Sequence, residues 1–269
     1  MSGADADGVV LYDKPSGITS HDVVAKMRRR LGRGVKVGHA GTLDPFATGL
    51  LLILVGRATR VQRFLMELPK TYVAVARFGA VSSTGDPEGK ITHTGNIPHD
   101  DLVLPTGRLR QRPPAYSAVK LQGQRAYKLA RAGVEVEMPE REVVVHRFQE
   151  HWREGDRRSF EIECSSGTYV RSLIAALGDA YCEALRRTRI GPFAVELADP
   201  ERLVGLTEAL SFLPEVRLDA DQARRLAHGR PVAGEAGGPV RVTDDEGLIA
   251  VAAPTEDGAR IRPLVGFRG

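Results

Sequence analysis

The sequence predicts an α+β protein, with a mixed, largely antiparallel central sheet, flanking helices and a small β-rich unit at its C-terminal end. Three observations predict it. Short strand-like runs recur along the chain, with helices between only some of them. Two of these runs, 143–148 and 159–164, are separated by a charged turn around Gly155, as in a hairpin. Beyond Leu213-Pro214 the texture changes to glycine-rich turns between short strands.

Taken in order, Val9 to Tyr12 is a short apolar strand, and Asp13-Lys14-Pro15-Ser16-Gly17 is turn chemistry. Thr19 or Ser20 can cap a helix running to about Leu31. An acidic residue in its first turn and arginines in its last suit the helix dipole. Gly32-Arg33-Gly34 stops it. Val35 and Val37 lead into a loop, and Leu50 to Val55 is a continuous apolar strand. Thr59 to Leu68 has helical spacing, with Val61, Phe64, Leu65 and Leu68 inward, and Tyr72 to Phe78 is a further strand. Residues 82–101 are turn-rich. An extended piece begins at Pro113-Pro114, and Ala126 to Ala132 reads as a helix closed by Gly133. Tyr169 to Ala180 is expected to be helical, with Val170, Leu173, Ile174 and Leu177 on one face. In the last unit a helix from about Asp219 to His228 precedes strands at 240–242, 248–252 and 261–267.

The chain has 269 residues, enough for one large domain and a small one, here taken as 1–213 and 214–269. Its hydrophobic fraction of 42% and charged fraction of 27% are ordinary for a globular protein, and the net charge of +4 is compatible with a nucleic-acid partner. No apolar run is long enough to span a bilayer. The first eight residues lack the positive start and apolar core of a signal peptide. Cys164 and Cys182 fit no metal spacing and no disulfide framework, which points to a reducing compartment, the cytoplasm.

The most informative stretch is Gly38-His39-Ala40-Gly41-Thr42-Leu43-Asp44-Pro45-Phe46-Ala47-Thr48-Gly49. It sets one carboxylate, Asp44, in a turn-rich loop just ahead of a buried strand, where a rigid scaffold can aim it at a substrate. Carboxylates are seldom buried without a partner, so a cation elsewhere in the chain should meet it. Alone, Leu-Asp-Pro would be a turn-capping aspartate. It recurs here with Lys70-Thr71-Tyr72, Pro113-Pro114-Ala115-Tyr116-Ser117-Ala118, Ser166-Gly167-Thr168-Tyr169-Val170-Arg171 and Leu185-Arg186-Arg187. With these motifs in this order the chain resembles the TruB family, the bacterial tRNA pseudouridine-55 synthases, from Asp13 to the C-terminal unit.

The resemblance implies the pseudouridine synthase fold with a PUA-like β-barrel, and cofactor-free isomerisation of one T-loop uridine of tRNA to pseudouridine. The chemistry itself asks for a flipped base, a carboxylate, an aromatic face and a cation that keeps the carboxylate ionised. By the family match Asp44 is the catalytic aspartate, Tyr72 stacks on the target base and Arg171 pairs with Asp44. The match assigns His39 to the opened T-loop, and Lys14 and Leu185 to the pocket. The segment of about 112–141 matches an insertion that closes over the RNA. Its Lys120, Arg125 and Tyr127 mix charge with an aromatic, as phosphate contact and base stacking require. The expected partner is tRNA, held at its T-loop and acceptor arm by a monomer, without metal or membrane.

Two segments depart from the family pattern. Residues 96–110 are brief and carry Pro105 and Gly107 where members hold a fuller helix, and 178–184 is a contracted turn. The residues leave open whether Asp44 attacks C1′ or the base, or assists elimination at C2′. Two other functions compete. One is a non-catalytic RNA-binding or tRNA-folding protein, against which the Asp44, Tyr72 and Arg171 set speaks. The other is a guide-RNA-dependent, dyskerin-type synthase, against which the lack of long basic tails speaks.

Overall fold

The computed structural model describes residues 7–114, 120–121, 124–125 and 138–268. Strand β1 (Gly8–Lys14) leads into helix α1 (Ser20–Leu31). Thr19 caps that helix. Its hydroxyl accepts from the Asp22 amide, and the Asp22 carboxylate accepts from the Thr19 amide at 2.8 Å, a capping box. Strands β2 (Val37–Ala40) and β3 (Thr48–Val55) bracket the Asp44 loop. The helical segment expected from Thr59 is split. Gly56–Val61 winds as a 3-10 helix, and only α2 (Gln62–Glu67) is α-helical. Strand β4 (Lys70–Phe78) follows, then β5 (Ala80–Ser82), β6 (Ile91–His93) and β7 (Gly107–Gln111). Lys120 and Arg125 are register partners in a two-stranded hairpin, β8 (Lys120–Leu121) and β9 (Gln124–Arg125). Tyr127 and the helix expected over 126–132 lie outside the described residues.

Strands β10 (Arg141–Glu154) and β11 (Arg157–Cys164) form the hairpin around Gly155, longer than the apolar runs alone indicate. Helix α3 is Val170–Ala175, half the expected length, because the chain breaks at Gly178 and re-enters the sheet as β12 (Ala180–Ile190). The segment read as a contracted turn, 178–184, is therefore largely a strand. Short strands β13 (Phe193–Ala194) and β14 (Val204–Gly205) and helix α4 (Leu206–Ala209) complete this part.

The main sheet runs β14-β1-β3-β12-β4-β11-β10-β7, with β2 also on β3 and β13 on β12. Among the described strands of this sheet, only the β3–β12 pair is parallel. Strand β3 explains the continuous apolar run: Leu50 to Val55 are all fully buried because both faces are covered. Leu51, Ile53 and Val55 pack with Val23, Val24 and Met27 of α1. Leu50, Leu52 and Leu54 pack on the other face with Phe64 and Leu65. Each such side chain contributes roughly 1.5–3 kcal/mol. A third cluster joins Tyr72, Ala74, Ala76 and Phe78 of β4 to Phe160 and Ile162 of β11 and to Leu173 and Ile174 of α3.

The C-terminal sheet runs β15 (Glu215–Arg217), β17 (Val240–Asp244), β18 (Gly247–Pro254), β19 (Arg260–Gly266) and β16 (Val232–Ala233), with α5 (Ala220–Ala227) capped by Asp219. Its Val251, Val265 and Phe267 share one core cluster with Leu54 and Phe64. Arg60 Nη1 donates to the Gly266 carbonyl at 2.6 Å across the same junction. Among the described residues no helix is long and apolar enough to cross a membrane.

Both cysteines are free and buried. Burial pushes the Cys164 thiol up to about 11. The unfolded chain's thiol ionises near the ordinary value of about 8.5. Stability from this group is therefore full below that pH and is lost as the pH rises towards 11. In denaturant melts, the wild type should lose about 2 kcal/mol more than Cys164→Ala between about pH 8 and pH 10.5. Parallel pH curves would contradict it.

Candidate active site

The Asp44 loop is held from below and from the side. Lys14, at the end of β1, is fully buried, and its Nζ donates to the carbonyls of Pro15 (2.9 Å), Ile18 (2.8 Å) and Pro45 (3.2 Å). That corrects the expectation that Lys14 meets substrate: its three donors are used on the backbone, and it braces the loop from inside. Burial lowers its pKa to about 8, partly offset by the nearby Asp44 charge. The Ser16 hydroxyl donates to the Phe46 carbonyl at 2.9 Å, and the Leu43 amide donates to the Ser20 hydroxyl at 2.9 Å. From the opposite side Arg187 Nε donates to the Leu50 carbonyl at 2.7 Å.

Arg171, in the first turn of α3, is 3% exposed, and its Nε lies 2.9 Å from Asp44 Oδ2. Its Nη1 donates to the Thr84 carbonyl at 2.6 Å and to Asp86 Oδ2 at 2.8 Å. One guanidinium thus serves two carboxylates, Asp44 and the buried Asp86. Asp86 is itself fixed, since its Oδ1 accepts from the Thr84 hydroxyl at 2.6 Å and the Glu88 amide at 3.1 Å. Burial raises the Asp44 carboxyl above its ordinary value; Arg171 opposes the rise and the Asp86 charge adds to it. Gln111 sets the start of α3: its side chain donates to the Tyr169 carbonyl (2.9 Å) and accepts from the Tyr169 amide (2.8 Å).

Asp44 and Arg171 open onto a cavity of about 640 Å³, also lined by Tyr72, Leu185 and Arg187, with Arg63, Met66, Arg141 and Tyr169 around it. That volume lies in the usual range of small-ligand pockets. Tyr72 and Leu185 come from adjacent strands, β4 and β12, and share one face of the sheet. Burial raises the Tyr72 phenol, with Arg187 opposing. His39 stands outside the cavity, its ring 5.5 Å edge-on from that of His21. Burial lowers its pKa to about 4, so it is neutral near pH 7. Among the described residues no group of three His, Cys, Asp or Glu side chains could hold a metal ion.

The structure therefore brings Asp44, Tyr72, Arg171 and Leu185 together, and leaves Lys14 and His39 outside the cavity. Sequence reasoning missed Asp86 and Arg187. Gly85-Asp86-Pro87 does repeat the Asp-Pro pair of the main loop, but Asp199-Pro200 repeats it too. The arginine run offered no way to separate Arg187, buried here, from Arg186, which pairs with Asp13 at 2.7 Å.

The fold and this paired carboxylate at the foot of an open cavity define a pseudouridine synthase-type protein. Residues 28–170 match the model for the TruB family pseudouridylate synthase N-terminal domain, and 214–266 match that for pseudouridine synthase II TruB, C-terminal. The chain belongs to the TruB family. It is 42% identical to a tRNA pseudouridine synthase B from Thermobifida fusca, over 98% of this chain and 99% of the relative. It is 40% identical to that from Mycobacteroides abscessus, over 97% and 96%. Among solved structures, a chain of a Cbf5-Nop10-Gar1 complex superposes with a TM-score of 0.72 at 27% identity, covering 97% of this chain and 85% of that one.

Proposed function

We propose that this chain isomerises uridine 55 in the T-loop of tRNA to pseudouridine. The observation that carries the reading is the Asp44 carboxylate, 2.9 Å from the Arg171 guanidinium and open to the cavity that Tyr72 and Leu185 line. Relatives named tRNA pseudouridine synthase B support tRNA as substrate, at 42% identity against 27% for the Cbf5-complex chain. That difference favours a stand-alone tRNA enzyme over a guide-dependent one.

The target uridine swings out of the T-loop at a cost of roughly a few kcal/mol and enters the cavity. Its base stacks on Tyr72 and packs against Leu185. Asp44, kept anionic by Arg171, acts on the sugar or the base as the N1–C1′ bond breaks. The uracil turns, C5 bonds to C1′, the C5 proton leaves and N1 takes one up, so the reaction needs no cofactor. Arg63 and Arg141 at the cavity wall, with Lys120 and Arg125 in the hairpin, suit RNA phosphates. Residues 1–213 carry catalysis, and 214–269 grip the acceptor arm. The reaction belongs to the cytoplasm, where the tRNA is.

The test is incubation with an unmodified tRNA transcript, followed by chemical mapping of pseudouridine. One new pseudouridine at the T-loop position is expected, and none there would sink the reading. Binding should also be salt-sensitive: affinity should fall at least tenfold from about 50 to about 200 mM salt as phosphate counterions are released. An affinity that stays flat would count against a phosphate-based grip.

A further inference from the structure

We propose that Arg187 is a positioning residue that locks the Asp44 loop to Tyr72, so that carboxylate and phenol meet the target nucleotide at a fixed separation; this rests on the function proposed above. Arg187 is 1% exposed and among the largest fully buried side chains of the protein. Burying a guanidinium is costly unless its donors are satisfied. Here they are spent on the two ends of one loop. Nη2 donates to the Gly41 carbonyl at 3.0 Å and Nη1 to the Thr42 carbonyl at 3.5 Å, ahead of Asp44, while Nε donates to the Leu50 carbonyl at 2.7 Å, beyond it.

The main chain of Arg187 acts at the same place. It lies beside Gly49 in the parallel β3–β12 pair. A Cβ on Gly49 would stand 2.2 Å from the Arg187 carbonyl oxygen, and φ there is +104°. Only glycine lets the loop's exit pass so close to β12.

Arg187 also lies directly opposite Tyr72 in the β4–β12 ladder, and both line the cavity. Opposed residues of an antiparallel pair project on the same side, about 5 Å apart at Cβ. A guanidinium only donates. A hydrogen bond between the two would therefore use the phenol oxygen as acceptor and turn its hydrogen away from the arginine. The adjacent cation also offsets part of the rise that burial imposes on the phenol. One side chain thus sets where the loop stands and how the phenol is oriented.

The test uses the full chain and an unmodified tRNA transcript. Single-turnover rates and RNA affinities are measured for Asp44→Asn, Tyr72→Phe, Arg187→Met and the Tyr72→Phe/Arg187→Met pair. Arg187→Met should slow pseudouridine formation about 100-fold, with affinity kept within about threefold. The double variant should be faster, by about tenfold or more, than the product of the single losses requires, because both act through one hydroxyl. Losses that simply multiply, an unchanged rate, or a defect in affinity alone would overturn the proposal. If Arg187→Met does not fold, the cycle is run on Arg187→Lys, which keeps the charge but lacks the fork that spans the loop. A wild-type rate in Arg187→Lys, or multiplying losses with Tyr72→Phe, overturns it equally. An active Asp44→Asn would instead sink the function on which it rests; an inactive Asp44→Asn beside multiplying losses sinks the Arg187 inference alone.

Discussion

Asp44→Asn is expected to lower single-turnover pseudouridine formation by about 10⁴-fold or more while RNA affinity stays within a few-fold. The substitution is nearly isosteric. The amide oxygen can still accept from Arg171 Nε, now 2.9 Å from the carboxylate, so the loop keeps its place. What disappears is the anion that can act on carbon. Tritium release from tRNA labelled at uridine C5 reads the loss directly, and activity within about tenfold of wild type would exclude Asp44 from the chemistry. The wild-type pH profile carries a second signature. Burial lifts the Asp44 carboxyl above its ordinary value, and only the ionised form reacts. The rate should therefore fall on the acid side at a pH above the usual aspartate range, with the basic form active.

Arg171→Lys should cost roughly 10²–10³-fold in rate although it conserves charge. The guanidinium spreads its donors over Asp44 at 2.9 Å, Asp86 at 2.8 Å and the Thr84 carbonyl at 2.6 Å. An ammonium is a point donor and cannot hold that spacing. The buried Asp86 and the half-buried Asp44 then repel each other with less compensation, so the acid limb of the rate profile moves to higher pH. Arg171→Ala goes further. It leaves the buried Asp86 without its guanidinium, with a stability loss of roughly 3–5 kcal/mol in denaturant melts. Arg171→Lys turning over at near-wild-type rate would remove the pairing from the mechanism.

Much of this was readable in the chain because the signals were local. The Thr19 cap, the arginines at the end of α1 and the apolar run of β3 are short-range patterns, and each appears where expected. The demand of a half-buried Asp44 for a cation pointed to Arg171, 127 residues away, only because the motif around it resembled a known one. Strand β12 was not legible. Glu183, Arg186, Arg187 and Arg189 give it the look of a surface segment, yet it lies between β3 and β4. Its charges are tolerated because three are met by neighbouring groups, Glu183 by Arg77 and Arg157, Arg186 by Asp13 and Arg187 by backbone carbonyls, while Arg189 is exposed. Lys14 was assigned to the pocket by the family match alone; the three carbonyls that converge on it come from residues up to 31 positions away. Asp86 meets its cation, Arg171, 85 residues along the chain, and only the folded chain brings the two together.

The shared core between the two sheets has a mechanical consequence. Val251, Val265 and Phe267 are embedded beside Leu54 and Phe64, and Arg60 fastens the end of β19. The smaller unit is thus bracketed to the larger one, and this shared packing restrains the span from its outer face to Asp44. A nucleic acid touching both ends would be measured as by a caliper with fixed jaws, so that length and bend, as well as base identity, would decide which uridine reaches the cleft.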